Sequence, residues 1–329
     1  MEKIKNIEIL RFIFVMCIVW FHSAWGILDS LPVYNPLIPG MEWAWLLCDC
    51  FFIISGFFMF LTTDFKQDFL KFAGKKLIRF MPTVYFVLFL VWIASLFTPV
   101  KYYKYDSLFI ILNIQNVGIT KYVLTIGPSW FVSALFWSMC FYFYLRKSVS
   151  KQMFNLITAC LIFLCYSIFV KENTMHFDNF AGLFNIGLMR AFAGLGIGYF
   201  LAGLYKEYGR SVKQLKLNIF QRLLITAAEI YLFSFMIYYS VFHKISFDNY
   251  LIMIIPFIGL FILFVLHKGY LSSFLNNDVS VFFGQFTFAI FLSHELVRNL
   301  WSYAVFQNHL LFVAEHPVIN IMLYLCTVV

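Results

Sequence analysis

The stretch Ile9–Leu28, ILRFIFVMCIVWFHSAWGIL, decides the fold class. At 1.5 Å per residue a helix of this length reaches roughly 30 Å, the thickness of a bilayer's hydrocarbon core. It carries one charge near its start, Arg11, and one titratable ring deep inside, His22. Eleven residues at about 100° each make three turns plus roughly 20°, so both side chains share a face, about 16 Å apart along the axis. Ionisable groups facing lipid are costly, so this face is expected to meet protein or a water-filled cavity. The plainer alternative has Arg11 snorkelling to the headgroups and His22 as a satisfied core histidine.

Composition extends this reading to the whole chain. Its 329 residues would allow two or three soluble domains by length, but only 12% are charged and 62% are hydrophobic. Soluble chains run at about 25% charged. Apolar runs of spanning length recur from end to end, continuous rather than alternating, which excludes a β-barrel. The expectation is one integral-membrane domain over residues 1–329, all-α and polytopic. About ten transmembrane helices are expected: Ile9–Leu28, Trp43–Leu61, Leu77–Phe97, Ser129–Leu145, Met153–Val170, Ala181–Leu204, Arg222–Phe242, Tyr250–Leu266, Val279–Leu296 and Pro317–Val329. The first is expected to be retained rather than cleaved, since it is too long for a signal-peptide core.

The basic residues orient these spans. With the N-terminus cytoplasmic, 17 of the 24 Lys and Arg fall in inner segments and six in outer ones, with Arg190 inside a span. That bias is the positive-inside pattern. The net charge of +8 therefore speaks for anionic lipid, not nucleic acid. Seven scattered cysteines, mostly inside apolar runs, suggest neither a disulfide framework nor a metal site. The outer loop Asp29–Glu42 is turn-rich, with Pro32, Pro36, Pro39 and Gly40. The aromatic region Pro99–Gly127 is expected at the outer interface with one short helix, and Asn299–His316 similarly. Trp43, Trp45, Trp130 and Trp301 fall at expected outer span ends, where indole rings favour the headgroup layer.

Four further constellations could carry chemistry. Asp49–Phe58, DCFFIISGFF, opens a span with an aspartate and places Ser55-Gly56 at mid-span. For Ser55-Gly56 alone, close helix packing is the favoured reading. Lys75–Tyr85, KKLIRFMPTVY, sets Lys75, Lys76 and Arg79 at the expected inner start of a span, with Pro82 in its opening turns. Ordinary positive-inside anchoring accounts for the charge; an anion site is the sharper alternative. Gly127–Leu135, GPSWFVSAL, feeds a span from outside through Trp130. Arg190 stands alone in a long apolar run ahead of glycines 194, 196 and 198, where a buried arginine is expected to be paired or functional.

Taken together these motifs resemble the acyltransferase 3 family of membrane acyltransferases. The arginine–ten residues–histidine spacing of Arg11 and His22 is similar to its first-span signature. Asp49–Phe58 is similar to its aspartate–x–phenylalanine–phenylalanine…serine–glycine–phenylalanine block, with Cys48 where valine is usual. Lys75, Lys76, Arg79, Pro82 and Tyr85 resemble its basic segment, with lysines where arginines are common. Trp130-Phe131 and Gly284–His294 resemble weaker blocks. The likeness runs from about Lys5 to His294. Many members offer a glutamate a few residues after the fourth block's tryptophan; here Ser133, Ala134 and Leu135 follow, so no mechanism needing that carboxylate is implied.

The resemblance implies transfer of an acyl group, usually acetyl, from acetyl-CoA or another acyl-CoA to a hydroxyl of a cell-surface or lipid-linked saccharide, in a bacterial inner membrane. No permanently bound cofactor is expected. His22 is then the candidate general base, its ordinary pKa of about 6.5 suiting proton transfer at neutral pH. Asp49 is the first choice to orient it, with Asp29 and Glu42 in reserve. Arg11, Lys75, Lys76 and Arg79, with Ser55 and Gly56, would receive the acyl-CoA; Trp130, Arg190 and His294 would face the acceptor. The competing class is a proton-coupled secondary transporter built on His22, Arg190 and His294, but no repeat of halves and no matched pair of broken helices supports it.

Overall fold

The computed structural model of the chain describes residues 4–23, 44, 46–118, 125–172, 180–181, 184–242 and 251–307. The loop Asp29–Glu42, Trp43, Trp45 and the expected last span Pro317–Val329 lie outside the described residues. The chain is an all-α polytopic membrane protein: among the described residues five helices are long and apolar enough to cross a bilayer, and two shorter apolar helices accompany them. The only strands among the described residues are a two-residue antiparallel pair, β1 (Phe180–Ala181) and β2 (Phe184–Asn185). The helices fall into two compact units.

The first unit holds α1 (Asn6–Ser23), α8 (Ile219–Phe242), α9 (Leu251–Leu266), α10 (Tyr270–Phe274) and α11 (Asp278–Gln307). Helices α1 and α11 run parallel. Lys5 Nζ meets Asp278 Oδ1 at 2.8 Å near the start of both, the Phe12 and Phe283 rings lie 5.0 Å apart further on, and the His22 and His294 rings meet at 5.0 Å. The approach is close at Gly284, where a Cβ would stand 2.5 Å from that of Glu8. Two parallel neighbours start on the same side of the bilayer, which fits the odd number of spans, seven, expected between them. The foot of α1 is tied down by Asn6, fully buried, whose Nδ2 donates to Phe264 O at 2.7 Å and Ser272 O at 2.9 Å.

The second unit holds α2 (Leu47–Thr62), α3 (Phe69–Phe97), α4 (Lys104–Ile111), α5 (Ser129–Ser148), α6 (Lys151–Glu172) and most of α7 (Ile186–Gln214). Gly194 and Gly198, four residues apart on one face of α7, let α2 approach to backbone distance: a Cβ at Gly194 would stand 2.5 Å from the Phe52 Cβ. Around this seam packs an aromatic core in which Phe52 stacks on Phe131 at 4.4 Å and Tyr142 donates its hydroxyl to Phe192 O at 2.9 Å.

Several boundaries differ from the sequence expectation, and three of them bear on the candidate residues. Helix α3 begins eight residues before Leu77 because Asp68 caps it, its carboxylate accepting from Leu70 N at 2.8 Å and Lys71 N at 3.1 Å. Lys75, Lys76 and Arg79 therefore lie turns into the helix, not at its start, and Pro82 is in its interior. Helix α7 begins at Ile186, after the small hairpin, with Asn185 Oδ1 accepting from Gly187 N at 2.8 Å. Helix α11 runs on to Gln307 through residues expected at the interface, carrying Arg298 and Trp301 within it.

Candidate active site

In the first unit the α1–α11 seam assembles the polar groups. His22 and His294 face each other with ring planes tilted by 39°. His294 is 1% exposed, and its Nδ1 lies 2.7 Å from Phe291 O. A carbonyl only accepts, so Nδ1 carries the proton and Nε2 is the acceptor nitrogen of the neutral ring. Arg298, one turn beyond His294, points Nη1 at His22 O, 3.4 Å away, and Nη2 at Glu295 at 3.4 Å. Sequence reading counted Arg298 as an outer-loop charge; its four-residue spacing from His294 was the signal that it shares that face. Two imidazoles at this separation, one with its tautomer fixed, form a pair that can take up and pass on a proton.

Arg11 lies on the same helix as His22, as the eleven-residue spacing predicts. Its Nη1 donates to Glu8 Oε2 at 2.9 Å, an i, i+3 pair that is about three-quarters buried. Glu8 had no place in the sequence reading, although its spacing from Arg11 announced the pair.

In the second unit Asp49 and Arg190 come together, 141 residues apart in sequence. Arg190 Nε donates to Asp49 Oδ1 at 3.0 Å and Oδ2 at 3.2 Å, and Nη2 donates to Oδ2 at 2.6 Å. The side chains are 2% and 3% exposed. The guanidinium also lies 5.2 Å from the Trp130 ring. Trp130, expected at an outer span end, is buried against Arg190 and Phe52. Within its unit Asp49 holds Arg190, while within the other His22 meets His294 and Arg298. Beside Trp130, at the first turn of α7, lies Asn116, 2% exposed, with an Nδ2 that has no hydrogen-bond partner among the described residues. Nothing in the sequence marked it.

The remaining candidates are distributed along α2 and α3. Gly56 is occupied by packing: a Cβ there would lie 2.5 Å from Leu195 O and 2.7 Å from Leu195 Cα. Ser55, its neighbour, is half-buried. Lys75 and Arg79 are exposed on one face of α3, and Lys75 Nζ reaches Gln67 Oε1 at 3.4 Å. Lys76 lies over the Phe72 ring at 5.4 Å.

A family model described as an acyltransferase domain, acyltransferase 3, matches residues 4–329. The chain belongs to the acyltransferase 3 family. It is a membrane acyltransferase, a transferase of groups other than aminoacyl. No curated protein and no solved structure matches it. In this acyltransferase the seam between the first and last described helices brings His22, His294 and Arg298 together.

Proposed function

We propose that this acyltransferase carries an acyl group, acetyl in the first instance, from cytoplasmic acyl-coenzyme A to a hydroxyl of a cell-surface or lipid-linked saccharide. It works in the inner (plasma) membrane with its N-terminus in the cytoplasm. The observation that carries the reading is the His22–His294 pair, two rings 5.0 Å apart in the α1–α11 seam.

His22 is the general base. It takes the proton of the acceptor hydroxyl as the oxygen attacks the thioester carbonyl. The tetrahedral intermediate collapses to the ester, the carbon–sulfur bond breaks, and the coenzyme A thiolate recovers a proton from the imidazolium. His294, its Nδ1 held by Phe291 O, presents Nε2 as an acceptor that orients the His22 ring by a small rotation. In the second unit Lys75, Lys76 and Arg79 attract the phosphates of the coenzyme. Arg190, fixed by Asp49 and stacked near Trp130, is the acceptor-facing cation, and Asp49 acts through it. Trp130 beside the Asn116 amide is the kind of planar and polar surface that holds sugar hydroxyls.

The test is transfer of labelled acetyl from acetyl-coenzyme A into membrane glycan, by membranes carrying wild type, His22→Ala or His294→Gln at matched protein levels. His22→Ala is expected to lower the rate by about 10²–10⁴-fold, the usual weight of a general base. Transfer by His22→Ala at the wild-type rate would remove the base assignment. Labelling indifferent to acyl-coenzyme A would remove the donor.

A further inference from the structure

In the first unit, away from the histidine seam, a surface cavity of about 260 Å³ is lined by Leu215, Leu217, Arg222, His267 and Lys268. Its polar lining is basic. Arg222 opens α8, and its guanidinium lies 4.1 Å from the Tyr270 ring centroid. Only Nε is engaged, donating to Lys268 O at 3.4 Å. The aromatic ring fixes one face of the guanidinium and leaves the in-plane N–H fork open, the geometry that receives a phosphate through two parallel bonds. Lys268 Nζ donates to Lys213 O at 2.5 Å and Leu215 O at 2.9 Å, which caps the end of α7 and leaves its third N–H. Among the described residues neither Arg222 nor Lys268 has an acidic partner within ion-pair distance. The nearest buried acid along α8, Glu229, is turned to α10, where Oε2 accepts from Ser272 N at 3.2 Å.

His267 adds an independent sign. It follows the last residue of α9 with φ of 40°, the left-handed conformation that glycine adopts without cost at this position. A histidine there is a strained choice, and it lines the cavity. Strain of this kind persists where the side chain has work to do.

We infer that this cavity is a phosphate site, occupied by the headgroup phosphate of an anionic phospholipid. The volume, small beside the roughly 300–1,000 Å³ of pockets that enclose whole drug-sized ligands, suits a phosphate with its ester arms. The flanking Leu215 is exposed, as a wall beside lipid tails would be. Basic pockets at the inner ends of membrane helices are the recognised receptors of such headgroups.

The experiment is native mass spectrometry of the full-length protein purified from nanodiscs of phosphatidylcholine with or without phosphatidylglycerol. Wild type is expected to retain phosphatidylglycerol in preference to phosphatidylcholine. Arg222→Gln is expected to lower that retention about fivefold, the weight of one basic residue near the headgroups. Arg222→Lys should fall between, keeping charge without the fork. His267→Gly should lower retention while holding or raising the thermal midpoint, which separates binding from folding. Equal retention of phosphatidylglycerol by wild type, Arg222→Gln and His267→Gly would overturn the site. Equal retention of phosphatidylcholine by wild type would do the same. Displacement of the lipid by adenosine 3′,5′-bisphosphate at equimolar level would overturn the lipid assignment and give the cavity to a soluble phosphate.

Discussion

Neutralising Asp49 separates two roles that the Asp49–Arg190 pair could have. Both side chains are almost fully buried, joined by contacts of 2.6, 3.0 and 3.2 Å. Asp49→Leu leaves the guanidinium charged in an apolar interior without its carboxylate, and breaking a buried pair from one side costs about 3–5 kcal/mol. Arg190→Met strands the carboxylate and is expected to cost as much. The double variant Asp49→Leu/Arg190→Met restores an uncharged, filled interior and is expected within about 1–2 kcal/mol of wild type, in either direction. The coupling energy is then at least about 3 kcal/mol. Denaturant or thermal unfolding in mild detergent measures all four states. Single variants costing under about 1 kcal/mol, or a double variant equal to the sum of the singles, would refute the reasoning. Acyl transfer by the double variant then reports the second role: a stable but silent protein assigns Arg190 to the acceptor, and a stable active one assigns the pair to folding.

Three further outcomes are expected. Gly56→Ala should lower stability by about 1–3 kcal/mol, because its Cβ collides with the Leu195 backbone, whereas Gly203→Ala, with open space around it, should be neutral or gain up to about 1 kcal/mol in the same unfolding assay. Asn6→Leu leaves the carbonyls of Phe264 and Ser272 without their donor and should cost about 1–3 kcal/mol, read from the unfolding midpoint. Replacing Lys75 and Arg79 by Gln, both exposed, should leave stability within about 0.5 kcal/mol while raising the KM for acyl-coenzyme A several-fold with little change in kcat.

Hydropathy and helical period placed most membrane helices, because burial in lipid writes a long apolar run directly into the chain. Helix starts were another matter. Asp68 and Asn185 set them through single hydrogen bonds to backbone N–H groups, which no averaged hydropathy reveals. The same holds for the site. His22, Asp49, Arg190 and His294 were legible as costly polar groups among apolar neighbours. Their partners were not, since Arg190 finds Asp49 across 141 residues and Arg298 finds His22 across 276. The motif reading of Ser55-Gly56 was half chemical and half steric; at Gly56 the space is filled by α7. Asn116 escaped notice because a lone amide between elements carries no periodicity.

The parallel seam between α1 and α11 also sets a timetable. Lys5 meets Asp278 across 273 residues, so α1 enters the bilayer with the Glu8, Arg11 and His22 face bare. At about 5–20 residues per second, its partner emerges roughly 15–55 s later. For that interval the first helix is an orphan that quality-control proteases can sample. A nascent chain halted before Asp278 keeps its leading helix exposed, and its lifetime in the cell, rather than its catalysis, is where α11 first makes itself felt.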